Sequence, residues 1–151
     1  MHKVGRTPHI LVAEDDPDDR MLIREAFEES FPECSLSFAH NGVELMALLD
    51  RVSETSCTPD DKAPDLILLD LNMPLKDGRK ALQEIKSDPR LRHLVVVVMT
   101  TSSNADDAAF CRRHGANSYI VKPTKYTELT DIVASLKRLW MSQSRLSDTE
   151  S

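Results

Sequence analysis

Short apolar runs alternate along this chain with segments whose apolar residues recur at helical spacing. The run His9-Ile10-Leu11-Val12-Ala13 ends abruptly in acid and predicts a buried strand. Met21, Leu22, Ala26 and Phe27 then sit at helical spacing, in a segment that Pro32 closes. A second short strand is expected at Leu36-Ser37-Phe38-Ala39, followed by the turn pair Asn41-Gly42. Val43, Leu45, Met46, Leu48 and Leu49 predict a helix that ends near Val52. Residues 53–64 are polar, carry Pro59 and Pro64, and read as a surface loop.

The alternation continues to the end. Residues 65–70 form the third strand, apolar on both faces as in a covered parallel sheet. A loop with Pro74 and Gly78 leads to a helix carrying Ala81, Leu82 and Ile85, which ends near Asp88-Pro89. Residues 94–99 hold four valines and predict a fourth strand. A helix over 104–113 stops at Gly115, and 118–121 is the fifth strand. The last helix is expected over about 125–141, with Leu129, Ile132, Val133, Leu136, Leu139 and Trp140 as its stripe, and a frayed polar tail over 142–151. Five successive β-then-α units predict a doubly wound α/β domain with a parallel sheet. In such sheets the functional crevice lies beyond the carboxyl ends of the strands.

The unusual residues collect at those ends. The first strand runs into Glu14-Asp15-Asp16, the third into Asp70, the fourth into Thr100-Thr101 and the fifth into Lys122-Pro123. Carboxylates crowded from two strands repel and raise one another's pKa values. A hard divalent cation relieves that repulsion, and Mg²⁺ favours one or two carboxylates with carbonyls and waters. A carboxylate surrounded by a metal, an ammonium and a hydroxyl is what phosphoryl transfer needs, with Asp70 as the nucleophile.

Each residue has a plainer role to set beside this one. Asp70 alone would pass for a turn former. Acids near a helix start favour the macrodipole, which suits Asp16, Asp18 and Asp19 better than Glu14 and Asp15; those three are left outside the site. Lys122 alone would be a solvated lysine. Thr101, Ser102 and Ser103 compete with Thr100 for the hydroxyl role, although Ser103 with Asp106 fits a helix cap. Tyr119 beside a strand is ordinarily just packed, and Trp140 reads equally as core or as an exposed interface anchor.

Composition narrows the class without changing the fold. The 151 residues fit one domain, and 40% hydrophobic with 29% charged residues is a globular balance. A net charge of −6 disfavours a nonspecific grip on nucleic acid. Cys34, Cys57 and Cys111 form no CxxC pair, and no histidines stand at HExxH spacing. There is no apolar run long enough to span a membrane and no signal-peptide pattern at the start, so a cytoplasmic protein is expected.

The ordered set Glu14-Asp15, Asp70-x-x-Met73-Pro74-x-x-Asp77-Gly78, Thr100 and Lys122-Pro123 resembles the receiver domains of two-component response regulators over residues 8–141. The resemblance implies a flavodoxin-like five-stranded sheet of order 2-1-3-4-5. It further implies that Asp70 is the phosphoacceptor and that Asp15 binds Mg²⁺ directly. Glu14 would act through water, and the Asn72 main-chain carbonyl would be a further ligand. Lys122 would pair with Asp70 or its phosphoryl group, across a cis peptide to Pro123. Thr100 would be drawn to a phosphoryl oxygen, with Tyr119 turning in behind it. A sensor histidine kinase would be the donor.

Glu in the first acidic position and the long 53–64 loop depart from the commonest pattern. With the Glu-Asp-Asp-Pro-Asp-Asp start, the Lys-Ser-Asp-Pro stretch at 86–89 and the Leu-Trp end, that loop resembles a subgroup of stand-alone regulators, several partnered with bacterial phytochromes. About ten residues after the last helix are too few for an output domain, so output is expected through a downstream protein target or phosphotransfer protein, without DNA binding. The family implies a homodimer through the fourth helix, fifth strand and fifth helix. Two rivals remain: an aspartyl-nucleophile phosphohydrolase, for which Asn72 stands where a general acid is needed, and a pseudo-receiver that binds partners without phosphorylation.

Overall fold

The computed structural model describes residues 7–53 and 63–150. The central sheet is built of β1 (His9–Ala13), β2 (Ser35–Ala39), β3 (Leu66–Leu69), β4 (Val95–Thr100) and β5 (Ser118–Val121). All pairings are parallel and the order is 2-1-3-4-5, as the resemblance implies. Between the strands run α1 (Pro17–Ser30), α2 (Gly42–Ser53), α3 (Gly78–Ser87) and α4 (Ala105–Arg113), and α5 (Tyr126–Glu150) follows the last.

The period-two geometry of strands sorts the apolar residues into two cores. Leu11, Ile67, Leu69, Val96 and Val98 pack with Leu45 and Leu49 of α2, Ala81, Leu82 and Ile85 of α3, and Cys111 of α4. On the opposite face Ile10, Val12, Leu68, Val97 and Met99 meet Ile23, Ala26 and Phe27 of α1 and Leu129, Val133 and Leu136 of α5. Both faces of β3 are therefore covered, which explains its unbroken apolar run.

Several local expectations change. Met21 and Leu22 are exposed, because Ile23, Ala26 and Phe27 form the i, i+3, i+4 stripe that α1 turns to the sheet. Val43 is likewise exposed at the start of α2. The cap of α4 is Asn104, whose side chain accepts from Asp106 N–H, so Ser103 does not cap it. The last helix runs past its expected end near Met141 to Glu150, since residues 142–150 contain neither proline nor glycine to stop it. Trp140 is half-buried against the α1/α5 core, and Leu139 is exposed. The Lys122–Pro123 peptide is trans, like every other peptide bond among the described residues, and trans is the form an X–Pro bond ordinarily favours by about 0.5–1 kcal/mol. Most of the 53–64 loop lies outside the described residues. Among the described residues no helix is long and apolar enough to cross a membrane.

Candidate functional site

Strand register alone brings the acids and the lysine together. Ala13 pairs with Leu69, so Glu14 and Asp70 leave adjacent strands side by side, and Asp70 N–H donates to the Ala13 carbonyl at 3.1 Å. Thr100 pairs with Val121 across β4 and β5, which sets Lys122 just beyond. Two helix starts frame the crevice. Pro17 and the Asp16 cap fix the first turn of α1, and Asp77 caps α3 by accepting from Arg79 N–H. Gly78 stands where α3 meets β3, and a Cβ there would overlap the Asp70 carbonyl. Only glycine allows that approach.

Glu14 and Asp70 are buried, at 2% and 5% exposure, while Asp15 is exposed beside them. Glu14, Asp15 and Asp70 each offer an oxygen, all within 4.8 Å of one another. The Lys122 ammonium lies 2.6 Å from Glu14 Oε1, 2.8 Å from Asp19 Oδ2 and 3.3 Å from Asp70 Oδ2. Asn72 N–H donates to Asp70 Oδ1 at 3.2 Å. Burial pushes the Glu14 carboxyl up to about 7, against the opposing pull of Lys122 and of the Asp16 N–H. Burial would lower the Lys122 pKa, yet bonds to Asp19 and Glu14 and the charge of Asp70 hold it above its ordinary value. The lysine stays charged.

Thr100 is fully buried, and among the described residues its Oγ1 is the one buried side-chain polar atom without a hydrogen-bond partner. A hydroxyl desolvated in this way costs roughly 1–3 kcal/mol. Thr101 is exposed. Ser102 donates to Asp107 Oδ2 at 2.6 Å and so is already engaged. Tyr119 is half-buried against the α2–α4 core, and its hydroxyl donates to the Ser102 carbonyl at 2.8 Å, on the loop that follows Thr100.

This arrangement, a buried strand-end carboxylate with two further acids, an ammonium and an unpartnered hydroxyl on a 2-1-3-4-5 sheet, coincides with a family match. Residues 10–134 fit the model of the response regulator receiver domain. The chain belongs to that family. Receiver domains are signalling proteins. Response regulator Rcp1 of Synechocystis is 37% identical over 132 residues, which cover 87% of this chain and 88% of Rcp1. The crystal structure of the phosphorylated cyanobacterial phytochrome response regulator RcpA superposes with a TM-score of 0.79 at 39% identity, covering 91% of this receiver and 96% of RcpA. The crystal structure of the Mn²⁺-bound form of Rcp1 gives 0.75 at 35% identity, over 88% and 94% of the two chains. The receiver is thus homologous to phytochrome response regulators.

Of the residues singled out in the sequence, Glu14, Asp15, Asp70 and Lys122 converge in the receiver's crevice, and Thr100 ends the adjoining strand. Two others were missed. Asp19, assigned only to the helix dipole, reaches Lys122, because the first turn of α1 folds back over the strand ends. Arg20 donates to the carbonyls of Glu14 and Asp15 at 3.0 and 2.8 Å and so fixes the acidic turn. The acid-rich start of α1 was their only trace in the sequence. The donor set is hard and anionic, and it fits a divalent cation of the Mg²⁺ or Mn²⁺ kind rather than a thiophilic metal.

Proposed function

We propose that this receiver is a phosphorylation-dependent switch whose phosphoacceptor is Asp70. The observation that carries the reading is the buried Asp70 carboxylate, 3.3 Å from an ammonium that stays charged. An Asp70 oxygen would attack the phosphorus of a kinase phosphohistidine. The O–P bond forms as the P–N bond breaks, and the imidazole keeps the electron pair and takes up a proton. Lys122 would hold the charge growing on a phosphoryl oxygen, and the Thr100 hydroxyl would donate to another. Tyr119, tethered to the loop after Thr100, would follow that loop inward.

Asp15 and Asp70 would hold Mg²⁺ with the Asn72 carbonyl, and Glu14 would act through water. When bound, the ion neutralises negative charge at the phosphoryl oxygens. That Rcp1 has a Mn²⁺-bound form supports a divalent ion, and the hard donors support Mg²⁺. The donor would be a sensor histidine kinase, and likeness to Rcp1 and RcpA favours a bacterial phytochrome. Output would pass through a downstream protein or phosphotransfer partner in the cytoplasm. Val121 stands exposed on β5 and supports a homodimer through the α4–β5–α5 surface.

Intact-mass spectrometry after incubation with Mg²⁺ and acetyl phosphate tests this. One phosphoryl adduct is expected, absent without Mg²⁺ and absent in Asp70→Asn. A chain that binds Mg²⁺ and never gains the adduct is instead a pseudo-receiver.

A further inference from the structure

An ammonium has three N–H donors and no acceptor. Those of Lys122 meet Glu14 at 2.6 Å, Asp19 at 2.8 Å and Asp70 at 3.3 Å. Glu14 and Asp70 both belong to the acidic site. Asp19 belongs to neither the metal cluster nor the nucleophile, yet it binds Lys122 more closely than Asp70 does. It is carried on a turn that Pro17 and the Asp16 cap make stiff.

We propose that Asp19 is a positioning residue that aims the Lys122 ammonium at Asp70, an inference that rests on Asp70 being the phosphoacceptor. With two donors fixed on Glu14 and Asp19, rotation about the Cε–Nζ bond is set. The third N–H has one direction left, toward Asp70. When a phosphoryl group is added, that third donor passes to a phosphoryl oxygen while the other two keep their partners. The lysine then meets the incoming charge without losing a bond or searching for an orientation.

The Lys122 side chain is 12% exposed and that of Asp19 34%, so water can replace Asp19 if it is removed. The ammonium would then regain rotational freedom and stay charged. An asparagine at position 19 keeps an acceptor oxygen and loses only the charge. Comparing alanine with asparagine therefore separates aiming from simple electrostatics, and from the macrodipole, which both changes weaken equally.

The test uses the full chain as wild type, Asp19→Ala and Asp19→Asn, with thermal melting to confirm that each is folded. Proton exchange at Lys122 Nζ is read by ¹⁵N NMR, and phosphoryl uptake from acetyl phosphate at saturating Mg²⁺ is read by intact mass. Asp19→Ala is expected to exchange faster and to take up phosphoryl about fivefold more slowly, the scale of one partly exposed charged contact. Asp19→Asn should stay within about twofold of wild type on the same scale. Unchanged exchange and uptake in Asp19→Ala, or Asp19→Asn as slow as Asp19→Ala, would overturn the aiming role. A wild-type chain that takes up no phosphoryl group overturns the phosphoacceptor reading instead, and Nζ exchange alone then decides whether Asp19 holds the ammonium.

Discussion

The Arg79 guanidinium binds both carboxylate oxygens of Asp107, each at 2.8 Å, and so ties the start of α3 to the first turn of α4. Asp107 also accepts from Ser102, and Ser102 in turn accepts from Tyr119 through its carbonyl. This chain of contacts joins the helix beside Asp70 to the loop after Thr100. It links the proposed phosphoacceptor to the loop that must move if Thr100 is drawn inward.

The Arg79–Asp107 pair has a pH signature. Hydrogen bonds from Arg79 and then Ser102 hold the Asp107 carboxyl down at about 2. A depressed folded pKa stabilises fully above the unfolded value, about 3.9, and that stability is lost as pH falls through the folded value. Urea midpoints of wild type and Asp107→Asn should therefore differ most above pH about 4 and converge toward pH about 2. A gap that does not change over this range contradicts the assignment.

Thr100→Val should behave unusually for a core substitution. It removes a buried hydroxyl that has no partner, so the unphosphorylated protein should gain roughly 1 kcal/mol rather than lose stability. The same variant should lose the difference in Tyr119 ring NMR shifts between phosphorylated and free forms. A drop in its urea midpoint would show that the hydroxyl is already satisfied.

Lys122→Ala leaves Glu14 and Asp70 buried without their ammonium. A loss of about 3–5 kcal/mol is expected at neutral pH, as for one partner removed from a buried pair. Added Mg²⁺ should raise the melting temperature of this variant more than that of wild type, since it restores the missing charge. Equal shifts in the two proteins would argue that the acids do not share one cation.

Gly78→Ala tests the contact between α3 and β3. Its Cβ would overlap the Asp70 carbonyl, so the turn after Asp70 must shift, at a cost of about 1–3 kcal/mol. Chemical denaturation reads that loss. A variant as stable as wild type would mean that the turn has slack.

Much of this was legible in the chain because it depends on period and order alone. The apolar run before Asp70 identifies a strand covered on both faces, and parallel register then forces Glu14 beside Asp70. What stayed hidden depends on how helices lie. Met21 and Leu22 share the apolar start of α1 with Ile23, and it is the i, i+3, i+4 spacing of Ile23 with Ala26 and Phe27 that sets which of them is buried. Asp19 looked like one of several dipole acids because its reach to Lys122 depends on the path of that first turn. The Asn104 cap was missed because Ser103 offers the same chemistry one residue earlier.

The central claim, that Asp70 carries the phosphoryl group, is tested most directly by trapping the bond. An acyl phosphate is reduced by borohydride to the alcohol, so a phosphorylated aspartate becomes homoserine. After treatment with acetyl phosphate and Mg²⁺, then borohydride and proteolysis, tandem mass spectrometry should place homoserine at position 70 and nowhere else. Homoserine at Asp15 or another aspartate, with Asp70 intact, would contradict the account.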